Sequence, residues 1–71
     1  MPKLPILSGA EVIRALEKLG FQNERQRGSH VVMKKGHNGC VVPFHREIKS
    51  GTLAGLLRQA EVSLDDFIAK L

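Results

Sequence analysis

The chain has 71 residues, a single cysteine, no Trp or Tyr, and a formal net charge of +4. That length makes one domain, residues 1–71, whose small core holds the fold by only a few kcal/mol. A lone thiol excludes an intramolecular disulfide and a four-cysteine zinc site and fits a reducing compartment; residues 1–7 hold two prolines and no apolar run suited to a signal peptide or membrane span, so the cytoplasm is the expected location.

Ser8-Gly9-Ala10-Glu11 has the pattern of a capping box, in which the Ser8 hydroxyl and the Glu11 carboxylate each bond an orphan amide of a helix start. Val12, Ala15, Leu16 and Leu19 follow at helical spacing and Gly20 ends the run, which predicts a helix over residues 9–19. Residues 21–27 are polar and lack that period, and read as a weak edge strand. Gly28-Ser29 is a turn. Residues 30–34, β-branched and apolar, predict a second strand, 35–39 a hairpin turn, and 40–42 a third strand ended by Pro43. Residues 44–50 read as a loop.

Leu53, Leu56, Leu57 and Ala60 repeat the helical spacing and place a second helix over 51–60. Ser63 caps a third, with Leu64, Phe67, Ile68 and Leu71 on one face and Asp65 and Asp66 near its positive end. All three stripes are explained by core packing. The order α-β-β-β-α-α predicts an α+β fold, a three-stranded antiparallel sheet with helices on one face and the other face open.

Charge is unevenly spread. Arg25, Arg27, Lys34, Lys35, Arg46 and Lys49 face a single acid, Glu47, in the central 25 residues, a net +5 against −1 for the rest. A polyanion such as RNA or DNA is one reading of that excess, and a solvated basic surface is the other. Within this segment His30 opens the better strand, on the same face as Val32 and Lys34 and opposite Val31 and Met33. An imidazole there, beside Arg25, Arg27 and Lys34, suits RNA cleavage. It can take a proton from a 2′-hydroxyl or give one to the leaving oxygen, while the cations stabilise charge growing on phosphate. A histidine that merely hydrogen-bonds at a strand end is the plainer alternative. His30, His37, Cys40 and His45 match no standard zinc spacing, so neither a metal nor another cofactor is expected. Cys40 reads as a small buried apolar side chain.

Taken together, Ser8-Gly9, Leu19-Gly20-Phe21, Arg25-Gln26-Arg27-Gly28-Ser29-His30, Val42-Pro43-Phe44-His45 and Lys49-Ser50-Gly51-Thr52-Leu53 running into Leu57-Arg58-Gln59-Ala60 resemble the HicA toxins of bacterial toxin–antitoxin pairs. The Gly-Ser-His element followed by Gly-Thr-Leu is the more specific part. The resemblance implies a fold like a double-stranded-RNA-binding domain, an endoribonuclease that cleaves mRNA and blocks translation, and a cognate HicB-type antitoxin; the lack of clustered carboxylates adds the expectation that cleavage is metal-independent. It places the catalytic histidine at His30, and Arg25, Arg27, Ser29, Lys34, Lys35 and Lys49 are the candidate RNA-binding residues. Val31 and Val32 stand where many relatives carry a second histidine or an aromatic residue, and Glu61 stands where a helix-ending glycine is common.

Two other functions compete with the toxin enzyme. A non-catalytic RNA-binding module would use the same fold, although a double-stranded-RNA binder is expected to place a lysine cluster at the start of its last long helix, where only Lys49 stands. A module whose basic surface serves only to bind an acidic protein is the third reading, and it is compatible with the first.

Overall fold

The computed structural model describes residues 6–71, so the expectation for residues 1–5 lies outside them. The elements are α1 (Gly9–Lys18), β1 (Gln22–Arg27), β2 (His30–Lys35), β3 (Asn38–Pro43), α2 (Ser50–Gln59) and α3 (Leu64–Ile68). The strands form one antiparallel sheet in the order β1-β2-β3. This is the predicted α+β arrangement, resembling a double-stranded-RNA-binding domain with a short helix added at its end.

α1 begins on the capping box. The Glu11 N–H donates to Ser8 Oγ at 3.2 Å, and the Ser8 N–H donates to Glu11 Oε1 at 3.0 Å. That second bond holds the Glu11 carboxyl below its ordinary value. At the other end Gly20 takes φ +100°; its N–H donates to the Glu17 carbonyl and that of Phe21 to Leu16, so a left-handed glycine satisfies the last carbonyls. Leu19 is therefore the cap rather than the last helical residue.

Both hairpins are tight. Arg27 pairs with His30 and Lys35 with Asn38, leaving the two-residue loops Gly28-Ser29 and Gly36-His37. In each the glycine alone has a positive φ, 55° and 60°, which is the type II′ pattern. Because the second turn uses only Gly36 and His37, Asn38 and Gly39 join β3 instead of the expected loop. β1 is exposed along its whole length, as an edge strand, and carries a bulge between Asn23 and Arg25.

The core lies between one sheet face and the helices. Val31, Met33, Cys40 and Val42 are at most 4 % exposed and meet Val12, Ala15 and Leu16 of α1, Leu53, Leu56 and Leu57 of α2, and Phe67 of α3. Leu7 and Ile48, both buried, form an isolated antiparallel bridge that ties the expected 44–50 loop to the segment before α1. Gly9 sits at a close approach: a Cβ there would lie 2.5 Å from the Pro43 carbonyl oxygen and 2.8 Å from Phe44 Cα. Its N–H donates to the His45 carbonyl at 2.8 Å, pinning the start of α1 to the exit of β3. Among the described residues no helix is long and apolar enough to cross a membrane.

Candidate nucleic-acid interface

Antiparallel pairing decides which side chains share the open face. His30 lies opposite Arg27 on β1 and Pro43 on β3; Val32 lies opposite Arg25 and Val41; Lys34 lies opposite Gln22 and Gly39. Directly opposed residues project to the same side with Cβ atoms about 5 Å apart. His30 thus stands in the central strand with Arg27 beside it, Arg25 on the diagonal and Lys34 further along the same strand. All four are exposed.

The bulge shapes this grouping. It restores Gln22 to the face shared with Lys34 and leaves Glu24 as the extra residue. Glu24 Oε2 lies 3.9 Å from Lys34 Nζ, with both side chains about half exposed, 52 % and 53 %. A pair so long and so well solvated holds Lys34 weakly, so the ammonium can readily exchange its partner for a phosphate.

Backbone contacts fix the end of β2 on which His30 sits. The Phe44 N–H donates to the Ser29 carbonyl at 2.6 Å, so the hairpin turn is anchored to the chain leaving β3. In that turn the Gln26 side-chain amide donates to the Gly28 carbonyl at 3.0 Å. The imidazole itself makes no hydrogen bond or ion pair with another described residue, which leaves both ring nitrogens available to a ligand.

The expected site residues divide. Arg25, Arg27, His30 and Lys34 come together on the open face, and Ser29 adjoins them in the turn. Lys35 does not: it alternates to the other side, where its Nζ donates to the Leu19 carbonyl at 2.8 Å and closes the end of α1. Lys49 is the N-cap of α2 and lines a shallow depression with Pro43, His45, Glu47, Ile48 and Thr52. Pro43 is the cross-strand neighbour of His30, so Lys49 borders the face without belonging to it.

The histidines and Cys40 weighed as zinc ligands are dispersed. His37 is at a hairpin tip, Cys40 is buried on the covered face, and His45 follows the end of β3; among the described residues no three His, Cys, Asp or Glu side chains gather as a metal site. Burial pushes the Cys40 thiol up to about 11, which keeps it protonated and unreactive near neutral pH.

Pairing also brings in residues the sequence did not point to. Val41 and Gly39 enter the face through β3, and Gln59 of α2 lines a depression on it with Val32, Lys34 and His37. The alternation along β3 identifies the first two once the start of that strand is known. Nothing local marks Gln59.

Compared with known proteins, residues 9–62 match the family model of the HicA toxin of bacterial toxin–antitoxin. The match runs from the first residue of α1 to just beyond α2 and takes in the whole sheet. A comparison with curated proteins returns no match.

Proposed function

Because the chain belongs to the HicA toxin family of bacterial toxin–antitoxin pairs, we propose that it is a single-domain endoribonuclease toxin that cleaves mRNA, with His30 as its general acid/base. The observation that carries this reading is the register of β1 on β2, which sets an exposed imidazole beside Arg27, with Arg25 on the diagonal and Lys34 further along the strand, on a face that no described helix covers. On such a face the 2′-hydroxyl of a bound ribose attacks the adjacent phosphorus. His30 takes the hydroxyl proton or delivers one to the departing 5′-oxygen. Arg27 and Arg25, opposite and diagonal to His30, bind this phosphate and stabilise the charge that grows on it, while Lys34 lies further along the strand. The products are a 2′,3′-cyclic phosphate and a 5′-hydroxyl end.

No metal has a step in this scheme, since the nucleophile belongs to the substrate and the described residues offer no clustered carboxylates of the kind that two-metal nucleases use. Cleavage should therefore survive chelators, and DNA, lacking the hydroxyl, should remain uncut. Activity lost in EDTA and restored by a divalent ion would contradict the scheme.

A toxin of this family is held in check by an antitoxin, and for this chain we infer a HicB-type protein whose acidic surface covers the His30 face. Charge pairing of this kind speeds and orients encounter, while apolar contacts supply much of the tightness. Hydrogen exchange across residues 28–34 should slow in the complex.

The deciding experiment is regulated expression of the wild type beside His30→Ala at equal levels, following growth and mRNA integrity. Arrest and cleavage should disappear with the imidazole while the fold persists. A mutant that still arrests growth without cutting RNA would favour a binding module, and one that still cuts would remove His30 from the chemistry.

A further inference from the structure

Beyond His30 the open face runs to the edge strand β3, where a shallow depression of about 300 Å³ is lined by Val32, Lys34, His37, Gly39, Cys40, Val41 and Gln59. We propose that this depression seats one unpaired nucleobase of the RNA, beside the nucleotide facing His30, and that Gln59 reads its edge. The proposal rests on the RNA-cleaving reading and adds to it the determinant of base preference.

Position comes first. Val32 is two residues along β2 from His30, a rise of about 7 Å on the same face, which is a single step along an extended RNA strand. Chemistry follows. Val32 is half-buried and its cross-strand partner Val41 is 42 % exposed, so two adjacent valines interrupt an otherwise polar face. A nucleobase has an apolar face that can lie on such a floor and a polar edge that needs partners. Gln59 supplies them from the last turn of α2: its exposed amide has one acceptor and two donors, the set that pairs side by side with a base edge. Lys34 and His37 at the rim suit the phosphate that follows.

Gly39 shapes the same depression. It lies inside β3 with no positive φ to require a glycine, although glycine weakens a strand and commonly marks a site where something approaches closely. A Cβ there would sit 3.1 Å from the Met33 carbonyl oxygen and 3.2 Å from Lys34 Cγ. A side chain at 39 would thus crowd the Met33 carbonyl and the Lys34 stem, and glycine keeps this part of the lining free of a side chain. The depression is also open-sided, and it suits a base swung out of a single strand rather than one stacked inside a duplex.

The test uses the full-length ¹⁵N-labelled protein and 2′-O-methyl RNA tetranucleotides, which cannot be cleaved because the nucleophile is blocked. Four probes differ only in the base at one position. Amide shifts should appear at Val32, Gly39 and Val41 and at the Gln59 side chain. One base should be preferred by about tenfold, falling to about twofold or less in Gln59→Ala. Gln59 is exposed and alanine favours helices, so that variant should fold. Equal binding of all four probes, or shifts confined to Arg25, Arg27 and His30, would overturn the nucleobase site and leave the RNA reading standing. No RNA binding by any probe would overturn both.

Discussion

On β2, Val31 and Met33 are at most 1 % exposed while His30 and Lys34, each adjoining one of them in sequence, are open to solvent. The same alternation on β3 buries Cys40 and Val42 and exposes Val41. One face of the sheet is therefore an apolar surface pressed on three helices, and the other is a basic surface with a valine floor that the described residues leave uncovered. A small chain can sustain this division because a strand assigns successive side chains to opposite sides. Stability and recognition then occupy different residues of the same strands, and substitutions on the two faces should have separable effects.

The largest effect belongs to the covered face. Met33 is fully buried at the centre of the central strand. Met33→Ala should cost roughly 2–5 kcal/mol, from lost burial and the cavity left behind. Set against a total of about 3–5 kcal/mol for a domain of this size, that leaves much of the protein unfolded at room temperature. Urea titration checks it; a loss under about 1 kcal/mol would mean that the helices close over the gap.

Cys40 tests the same face by titration. Its thiol is raised from 9.0 to about 11 by burial, so the folded state retains a proton that the unfolded chain releases. Stability from this source is present below pH 9 and is lost as pH rises toward 11. At pH 8 the native protein should alkylate at least about 100-fold more slowly than the chain in urea, since two units of pKa leave a hundredth of the thiolate. Equal rates would mean that β3 opens readily.

How far each face can be read from the sequence follows from the same alternation. α1 is legible to within one residue because capping box, apolar stripe and Gly20 all agree on it. β2 is legible because Val31 and Met33 mark its buried side. β1 leaves only a weak signal, since an edge strand exposed on both faces has no apolar period, and a bulge such as that at Glu24 leaves no local mark. The start of β3 is hidden because Asn38-Gly39 has the composition of a turn, although Gly36-His37 already supplies one. Of the site, the Gly28-Ser29-His30 turn and the basic residues around it stand out. Lys35 falls on the wrong side by one position of alternation, and Gln59 reaches the face only through the packing of α2 on β3.

A smaller effect is expected where the covering helices end. α2 closes as α1 does: the Glu61 N–H donates to Arg58 and the Val62 N–H to Leu57, but the left-handed residue is Glu61, at φ 57°, where α1 has Gly20. A side chain in that conformation is strained, and Glu61→Gly should stabilise the protein by about 0.5–1 kcal/mol. A lower melting temperature in that variant would show that the Glu61 side chain contributes something glycine cannot.

The smallest effects on stability should come from the open face, and they carry the comparison furthest. Arg25→Ala, Arg27→Ala and Lys34→Ala remove exposed side chains, of which only Lys34 has an ion pair among the described residues, and each should change stability by less than about 0.5 kcal/mol. RNA affinity should nevertheless fall in each. The slope of log K against log salt should flatten by about 0.7 for every phosphate of a single strand that is left without its cation. Lys35→Ala is the internal contrast: its ammonium bonds the Leu19 carbonyl, so the change should loosen the end of α1 and leave the salt slope as it was. If Lys35→Ala flattens the slope as much as Arg27→Ala does, phosphate is gripped along the β2–β3 hairpin edge rather than on the His30 face. A flattened slope in the open-face variants alone would place the RNA backbone on the side of the sheet that the helices leave bare.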